Sequence, residues 1–264
     1  MTSGRRISII LPSFKDNRIA VAIRSVRAFD DVGVTRIVVV DGGSDAHTLQ
    51  VIRSELREHD LLISGPDKGI FDALNKGLEA VDTEFVGWLG SDDMFTGRVL
   101  ASHVILGLTT HELFISNMAH FRGQLTSRMT YSWPACHGLV RFGFNNPHFA
   151  TFGRSSLLKS ERFKLGMRGS DIDYFLRIFS KRPSVLRSSL VGVLAEEGGY
   201  SSASVELVLG SNLRLVAVYA EHTNWVFAVL SVATKFLFKL GLVLGFRVMR
   251  IPASSYLINY PRPS

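Results

Sequence analysis

Short acidic and glycine-rich clusters in this chain carry residue types that do chemistry. Ser91-Asp92-Asp93 closely follows the apolar run Phe85-Val86-Gly87-Trp88-Leu89. Adjacent carboxylates at a strand end repel each other unless a cation sits beside them, and hard divalent ions take oxygen ligands. The competing reading is a helix cap, because Ser and Asp also open helices. Asp41 ends a second apolar run and precedes Gly42-Gly43-Ser44-Asp45. Glycines let backbone N–H groups approach a ligand, and the carboxylate can accept a hydrogen bond from a base or ribose. An Asx turn would instead use that carboxylate locally. Lys68 and Gly69 stand just before a helical pattern, where an ammonium and a helix N-terminus together suit a diphosphate; a solvated turn lysine is the plainer alternative. Asn75, further along that partly apolar helix, needs a partner. His148 follows Asn145-Asn146-Pro147 in a turn-rich stretch, Asn145 to Arg154. Asp171 falls in the first turn of a helix read from Ser170 to Phe179, off its apolar stripe of Ile172, Phe175, Leu176 and Phe179. A carboxylate there can take a proton from an attacking hydroxyl, or merely favour the helix dipole. Ser170 and Asp173 have the spacing of a capping box, which gives Asp173 a structural task.

The elements that must position these residues alternate regularly. Ile7–Leu11, Arg36–Val40 and Phe85–Leu89 read as buried strands, and Leu61–Ile63 as a short strand. Between them, Ile19, Ala22, Ile23, Val26 and Phe29 fall at helical spacing. Helices are also expected over Ala46–His59 and Phe71–Val81. Strand–helix alternation with continuous apolar strands predicts a mostly parallel sheet covered on both faces. Ligands in such sheets bind at the carboxyl ends of the strands. The loops that begin at Pro12, Asp41, Gly65 and Ser91 should therefore meet at one edge. Beyond Asp93 the pattern changes: Leu113–Met118 and Gln124–Tyr131 read as strands, Val185–Leu194 as one or two more, and two helices close the chain.

Composition sets the outer bounds. The chain has 264 residues, 46% hydrophobic and 20% charged, enough for a sizeable core and incompatible with global disorder. Its net charge of +7 and pI near 9.7 favour anionic partners. Cys136 is the single cysteine, so no internal disulfide forms, which fits a reducing cytoplasm. The N-terminal apolar run Ile7–Leu11 is short and ends at Pro12, so it does not read as a signal peptide. No Gly-x-Gly-x-x-Gly follows a strand and no Gly-x-x-x-x-Gly-Lys-Ser/Thr occurs, which argues against a dinucleotide oxidoreductase and a P-loop NTPase.

The ordered motifs resemble family 2 glycosyltransferases, which have the GT-A fold, and within them the bacterial exopolysaccharide enzymes of the colanic-acid type. The matching residues are Ile7-Ser8-Ile9-Ile10-Leu11-Pro12-Ser13 and Val40-Asp41-Gly42-Gly43-Ser44-Asp45. They continue with Gly65-Pro66-Asp67-Lys68-Gly69-Ile70-Phe71-Asp72-Ala73-Leu74-Asn75-Lys76-Gly77 and Gly90-Ser91-Asp92-Asp93. Pro147-His148-Phe149-Ala150-Thr151-Phe152, Asp171-Ile172-Asp173-Tyr174 and Gly198-Gly199-Tyr200-Ser201 follow in order. The resemblance implies a nucleotide-sugar donor of the UDP, GDP or dTDP type. Asp41 would contact the base, with Pro12, Ser13, Phe14 and Asp16 lining the same pocket. Asp67, Lys68, Gly69 and Asn75 would help hold the nucleotide, and Asp92 would lie near the ribose or donor sugar. Asp93, with Asp92, would bind Mg2+ or Mn2+; Asp171 would be the general base and His148 would stand on the acceptor side. The acceptor would be a lipid-linked sugar or a growing polysaccharide, nucleic acid is not an expected partner, and homodimerisation is open. A catalytically silent nucleotide-sugar-binding subunit is the alternative from another class. Gly90, Lys15-Asp16, Gly42 and Ser170 depart from residues common in the family at those positions.

The expected domain, residues 1–203, is followed by a helical segment, residues 204–264. Trp225 to Phe246 is strongly apolar but contains Lys235 and Lys239. A span of about 20 residues could cross a bilayer, yet each central lysine costs about 2.5–3.5 kcal/mol. Ser231, Lys235 and Lys239 make a narrow polar stripe, which suits a helix lying in the membrane interface with Arg247 and Arg250 near anionic head groups. Packing on the catalytic domain or a partner is the competing reading. The expected location is cytoplasmic, peripheral on the inner face of the cell membrane.

Overall fold

The structure is a computed structural model and describes residues 4, 6–122, 125–130, 148–167, 169–196 and 215–233. Its first half follows the alternation in the sequence. Strands β1 (Ile7–Ser13), β2 (Thr35–Asp41), β3 (Leu61–Ser64) and β4 (Phe85–Trp88) pair in the order β3-β2-β1-β4, all parallel. Helices α1 (Ile19–Phe29), α2 (Ala46–Glu55) and α3 (Ile70–Ala80) connect them. Strands β1, β2 and β4 are apolar on both sides because both sides are covered, whereas the edge strand β3 is only part-buried. Ile7, Ile9 and Leu11 pack with Ile19, Ile23, Val26 and Phe29 of α1, whereas Ile10 packs with Leu74 and Leu78 of α3. Helix α2 stops at Glu55, short of the expected His59, where Leu56 turns extended.

Beyond β4 come β5 (Met94–Phe95), α4 (Ala101–Thr110), β6 (Leu113–Arg122) and β7 (Leu125–Thr130). A 3-10 turn (His148–Ala150), β8 (Thr151–Arg154), α5 (Ser155–Leu158), α6 (Ser170–Ser180) and β9 (Val185–Glu196) follow. The sheet continues β4-β8-β6-β9-β5, with β7 on β6. It is mixed rather than mostly parallel: β8 runs antiparallel to both β4 and β6. Residues 151–154, expected in a loop, form that inserted strand. Four residues are too few to show a period, and their burial comes from neighbours distant in sequence. Phe152 stacks on Phe29 with centroids 5.5 Å apart, and Gly87 makes room, since a Cβ there would come 2.4 Å from the Phe152 ring. Helix α4 shows no clear stripe in the sequence because Leu106, on its solvent side, is as apolar as the buried Val104, Ile105 and Leu108.

Residues 215–222 (α7) and 225–233 (α8) are helical. Val218, Tyr219, Ala228 and Val232 pack with Leu176 of α6 in a separate cluster. Ser231, at the start of the expected polar stripe, is buried and donates its hydroxyl to the Phe227 carbonyl. The exposed side carries Trp225, Val226, Val229 and Leu230. No described helix is long and apolar enough to cross a membrane. Lys235, Lys239, Arg247 and Arg250 lie outside the described residues, as do Cys136, Asn145–Pro147 and the Gly198–Ser201 motif.

Candidate active site

Because β1 to β4 are parallel, their carboxyl ends and the loops that leave them share one edge. Ser13 and Asp41 are register partners at the ends of β1 and β2. Both side chains are buried, and neither Ser13 Oγ nor Asp41 Oδ1 has a hydrogen-bond partner among the described residues. Asp41 Oδ2, in contrast, accepts from Gly43 N (3.1 Å), Ser44 N (3.0 Å) and the Ser64 hydroxyl (3.0 Å). Burial opposes the charge, but these donors hold the Asp41 carboxyl below its ordinary value. The Asx-turn and ligand readings of Asp41 thus fall on different oxygens. Pro12 pairs with Val40 one step inside the edge. Phe14 presents a largely exposed ring, and Lys15, at φ 50°, fastens the loop by donating its N–H to Ser44 Oγ (2.7 Å).

At the end of β3, Asp67 Oδ1 accepts from Gly69 N (2.8 Å) and Asp72 Oδ2 from Lys68 N (3.1 Å). The start of α3 therefore already faces carboxylates, and the Lys68 side chain is exposed beside it. Gly42 explains part of this geometry: a Cβ there would come 2.6 Å from Asp67 Oδ2. Asn75 does not join the edge's open groups. Its amide donates to the Phe163 carbonyl and accepts from the Phe163 N–H, both at 2.9 Å. The partner that the sequence required for Asn75 is backbone, so its amide is committed to packing.

After β4, no helix begins at Asp92-Asp93; the chain enters β5 at Met94, which removes the helix-cap reading. Both carboxylates fold over Gly90, where a Cβ would meet Asp93 Oδ2 at 2.7 Å and Asp92 Oδ1 at 3.0 Å. Asp93 is 5% exposed. Burial, and then the neighbouring Asp92 charge, push its carboxyl up to about 8; burial chiefly raises Asp92 too. Hard oxygen donors whose ionisation is suppressed chiefly by burial, and for Asp93 also by a like neighbouring charge, fit a divalent ion. Glu196, at the end of β9, donates its N–H to Asp93 Oδ1 (3.2 Å).

A guanidinium that sequence reasoning passed over stands beside these acids. Arg18 bonds Asp16 through Nε and Nη2, both at 2.9 Å, and lies 3.8 Å from Asp92 Oδ2. It also pairs with the Glu196 carboxylate. Asp16 further accepts from Arg18 N (3.0 Å) and Ser91 Oγ (3.1 Å). Burial acts against its charge, yet the Arg18 contacts keep its carboxyl below the ordinary range. Asp16, expected among the donor-pocket residues, is thus occupied in holding Arg18. No local signal revealed this ring, whose members come from β1, β4 and β9 loops.

His148 and Asp171 do come together. His148 Nδ1 lies 3.9 Å from Asp171 Oδ2, and each side chain is about one third exposed. Burial holds the imidazole pKa below its ordinary value against the pull of Asp171, favouring neutral histidine. Trp88 of β4 fixes this corner: its indole donates to the His148 carbonyl (2.8 Å), and its ring packs against Tyr174 and Phe175 of α6. The capping box at Ser170 does not form. Gly169 is the N-cap, and Ser170 is already inside the helix. Asp173 is structural for another reason: it is buried and bound by Lys164 (3.1 Å), Arg177 (2.9 Å) and His222 (2.9 Å). Asp173, Glu221 and His222 have ligand atoms close enough together for an ion. Lys164 and Arg177 already neutralise that cluster, so the Asp92–Asp93 pair is the better fit to a metal.

The mixed α/β sheet, with acids at its parallel strand ends and a carboxylate on the first turn of α6, is a GT-A fold. Solved structures similar to it include S. aureus TarS in complex with UDP-GlcNAc, at TM-score 0.62 and 20% identity over 84% of this chain and 73% of that one. The mannosyltransferase PcManGT from Pyrobaculum calidifontis, in complex with GDP-Man and Mn2+, matches at TM-score 0.59 and 14% identity over 92% and 81%. The sequence model of glycosyl transferase family 2 matches residues 8–160. The chain belongs to that family and is a glycosyltransferase. Among its relatives is a PGL/p-HBAD biosynthesis glycosyltransferase of Mycobacterium tuberculosis, 29% identical over 209 residues, covering 75% of this chain and 80% of the relative.

Proposed function

We propose that this glycosyltransferase moves a sugar from a nucleoside diphosphate donor to an acceptor hydroxyl, with inversion and with help from Mg2+ or Mn2+. The observation that carries the proposal is that one strand, β4, serves both halves of the reaction. Asp92 and Asp93 follow it, and its Trp88 holds His148, which faces Asp171. The base of the donor would lie at the edge, where Ser13 Oγ and Asp41 Oδ1 have no hydrogen-bond partner among the described residues and Phe14 offers an exposed ring. Lys68 would serve the phosphates. Asp93 and Asp92 would hold the ion, whose charge supports departure of the diphosphate.

Asp171 would act as base. Its carboxylate accepts the acceptor's O–H proton while that oxygen attacks the anomeric carbon and the bond to the diphosphate oxygen breaks. A single displacement from the face opposite the leaving group inverts the centre. His148 stays neutral, so it can orient Asp171 or the acceptor without adding charge. TarS and PcManGT, which carry UDP-GlcNAc and GDP-Man, support a nucleotide-sugar donor here. The acceptor we favour is lipid-linked or a surface polysaccharide of the exopolysaccharide type, and substrates of PGL/p-HBAD biosynthesis merit assay beside it.

Location on the inner face of the membrane would bring the enzyme to such an acceptor. The exposed Trp225, Val226, Val229 and Leu230 of α8 support this. Replacing Trp225 and Leu230 by Ser should shift the protein from the membrane fraction to the supernatant. For the chemistry, UDP-, GDP- and dTDP-sugars should be screened by thermal shift with Mn2+, followed by turnover with the donor that binds. Asp171→Asn should then reduce kcat by at least about 100-fold while donor affinity stays within about twofold. Unchanged turnover would remove Asp171 from the mechanism.

A further inference from the structure

We infer that Arg18 is a tethered cation that occupies the acid cluster in the metal-free enzyme and is exchanged for the divalent ion. This rests on the metal-assisted reading above and concerns how the site is kept ready for the ion. Carboxylates from elements distant in sequence converge on one guanidinium: Asp16 after β1, Asp92 after β4 and Glu196 at the end of β9. Without a positive charge among them, they would repel each other and push the loops apart. Arg18 supplies that charge from within the chain.

The attachment is built rather than incidental. Asp16 takes the Arg18 backbone N–H as well as Nε and Nη2, so it sets both where α1 begins and where the guanidinium points. Ser91, beside Asp92, donates to the same Asp16 carboxylate and joins the β1 and β4 loops. The Arg18 side chain is nevertheless 54% exposed, so it can leave without unpacking the core. Its hold is firm on Asp16 and loose on Asp92, at 2.9 Å against 3.8 Å. The contact that an entering ion must break is therefore the weak one.

A divalent ion brings twice the charge and binds carboxylate oxygens directly, so it should win Asp92 from Arg18. Asp16 keeps the displaced side chain at the edge. There a planar guanidinium matches a phosphate oxygen pair better than it matches a carboxylate already shared with metal. Arg18 is accordingly a positioning residue: it competes with the ion before loading and supports the diphosphate afterwards.

The test measures Mn2+ binding without donor, by electron paramagnetic resonance of free Mn2+, and UDP binding at saturating Mn2+, by calorimetry. Arg18→Gln should bind Mn2+ about three- to tenfold more tightly than the wild type and should bind UDP about tenfold more weakly. Arg18→Lys, which keeps the charge but loses the fork, should lie between them in both assays. Asp93→Asn is the control and should lose Mn2+ binding. Weaker or unchanged Mn2+ binding in Arg18→Gln, with the wild type binding normally, would overturn the exchange and leave the metal-assisted reading intact. No Mn2+ binding by the wild type would overturn that reading and the exchange with it. If Arg18→Gln does not fold, Arg18→Lys decides: Mn2+ affinity no tighter than wild type counts against exchange, and tighter binding supports it.

Discussion

Asp93→Asn should make the metal-free enzyme more stable at alkaline pH while it abolishes metal binding. Asp93 is almost wholly buried, and burial together with the Asp92 charge raises its pKa from 3.8 to about 8. In the unfolded chain the proton leaves near pH 4; in the folded chain it stays until about pH 8. Between those values folding takes up a proton, so stability falls as pH rises and levels off above about 8. The full interval corresponds to roughly 6 kcal/mol at about 1.4 kcal/mol per pH unit. An Asn amide removes the ionisation penalty but still buries a polar group, so we expect a net gain of about 3 kcal/mol at pH 9. For a chain of this length that is roughly 10 °C in Tm. The assay is thermal unfolding in EDTA at pH 5, 7 and 9, repeated with excess Mn2+. The wild type should lose stability with pH in EDTA and recover it with Mn2+. The variant should be flatter with pH and indifferent to Mn2+. Equal pH dependence in the two proteins, or an equal response to Mn2+, would refute the account of Asp93 as a buried acid waiting for a cation.

Asn75→Ala should cost about 2–3 kcal/mol in urea unfolding, because it leaves the Phe163 N–H and C=O without their partner; donor affinity should change less than twofold. Asp173→Asn should destabilise the chain by about 3 kcal/mol, since Lys164 and Arg177 lose the buried charge they share. The same change at Asp171 should move Tm by less than about 2 °C, which separates these neighbouring acids by stability as well as turnover. Gly77→Ala should cost about 1–3 kcal/mol, as its Cβ would come 2.4 Å from Ile10 Cγ2 at the α3–β1 contact; chemical denaturation of the variant measures it.

The parallel half of the fold and the edge where its strands end were legible because β1, β2 and β4 are apolar enough to be buried on both faces and the helices between strands carry apolar stripes. Asp41, Asp92-Asp93 and Asp171 stood out for the same local reason, carboxylates placed where such elements begin or end. The short β8 was not legible, because Thr151–Arg154 is a strand only by lying between β4 and β6. Asn75 and Asp173 were seen to need partners or tasks, but which ones depended on Phe163, Lys164 and His222 folding against them. Ser13 Oγ and Asp41 Oδ1, without a hydrogen-bond partner among the described residues, are brought together by the register of β1 on β2, which no single stretch of residues encodes.

By itself the sequence determined the element types of the first four strands and the helices between them, the edge at which they deliver their acids, and the family motifs in their order. These follow from local periodicity and from the geometry that parallel strands impose. The tertiary structure alone decided which charges meet. Asp93 became a buried acid with a raised pKa, Asp16 became the holder of Arg18, and Trp88 of β4 became the holder of His148, which faces Asp171. Each outcome depends on distances of a few ångströms between residues up to 178 positions apart, and electrostatic and hydrogen-bond energies are set by those distances.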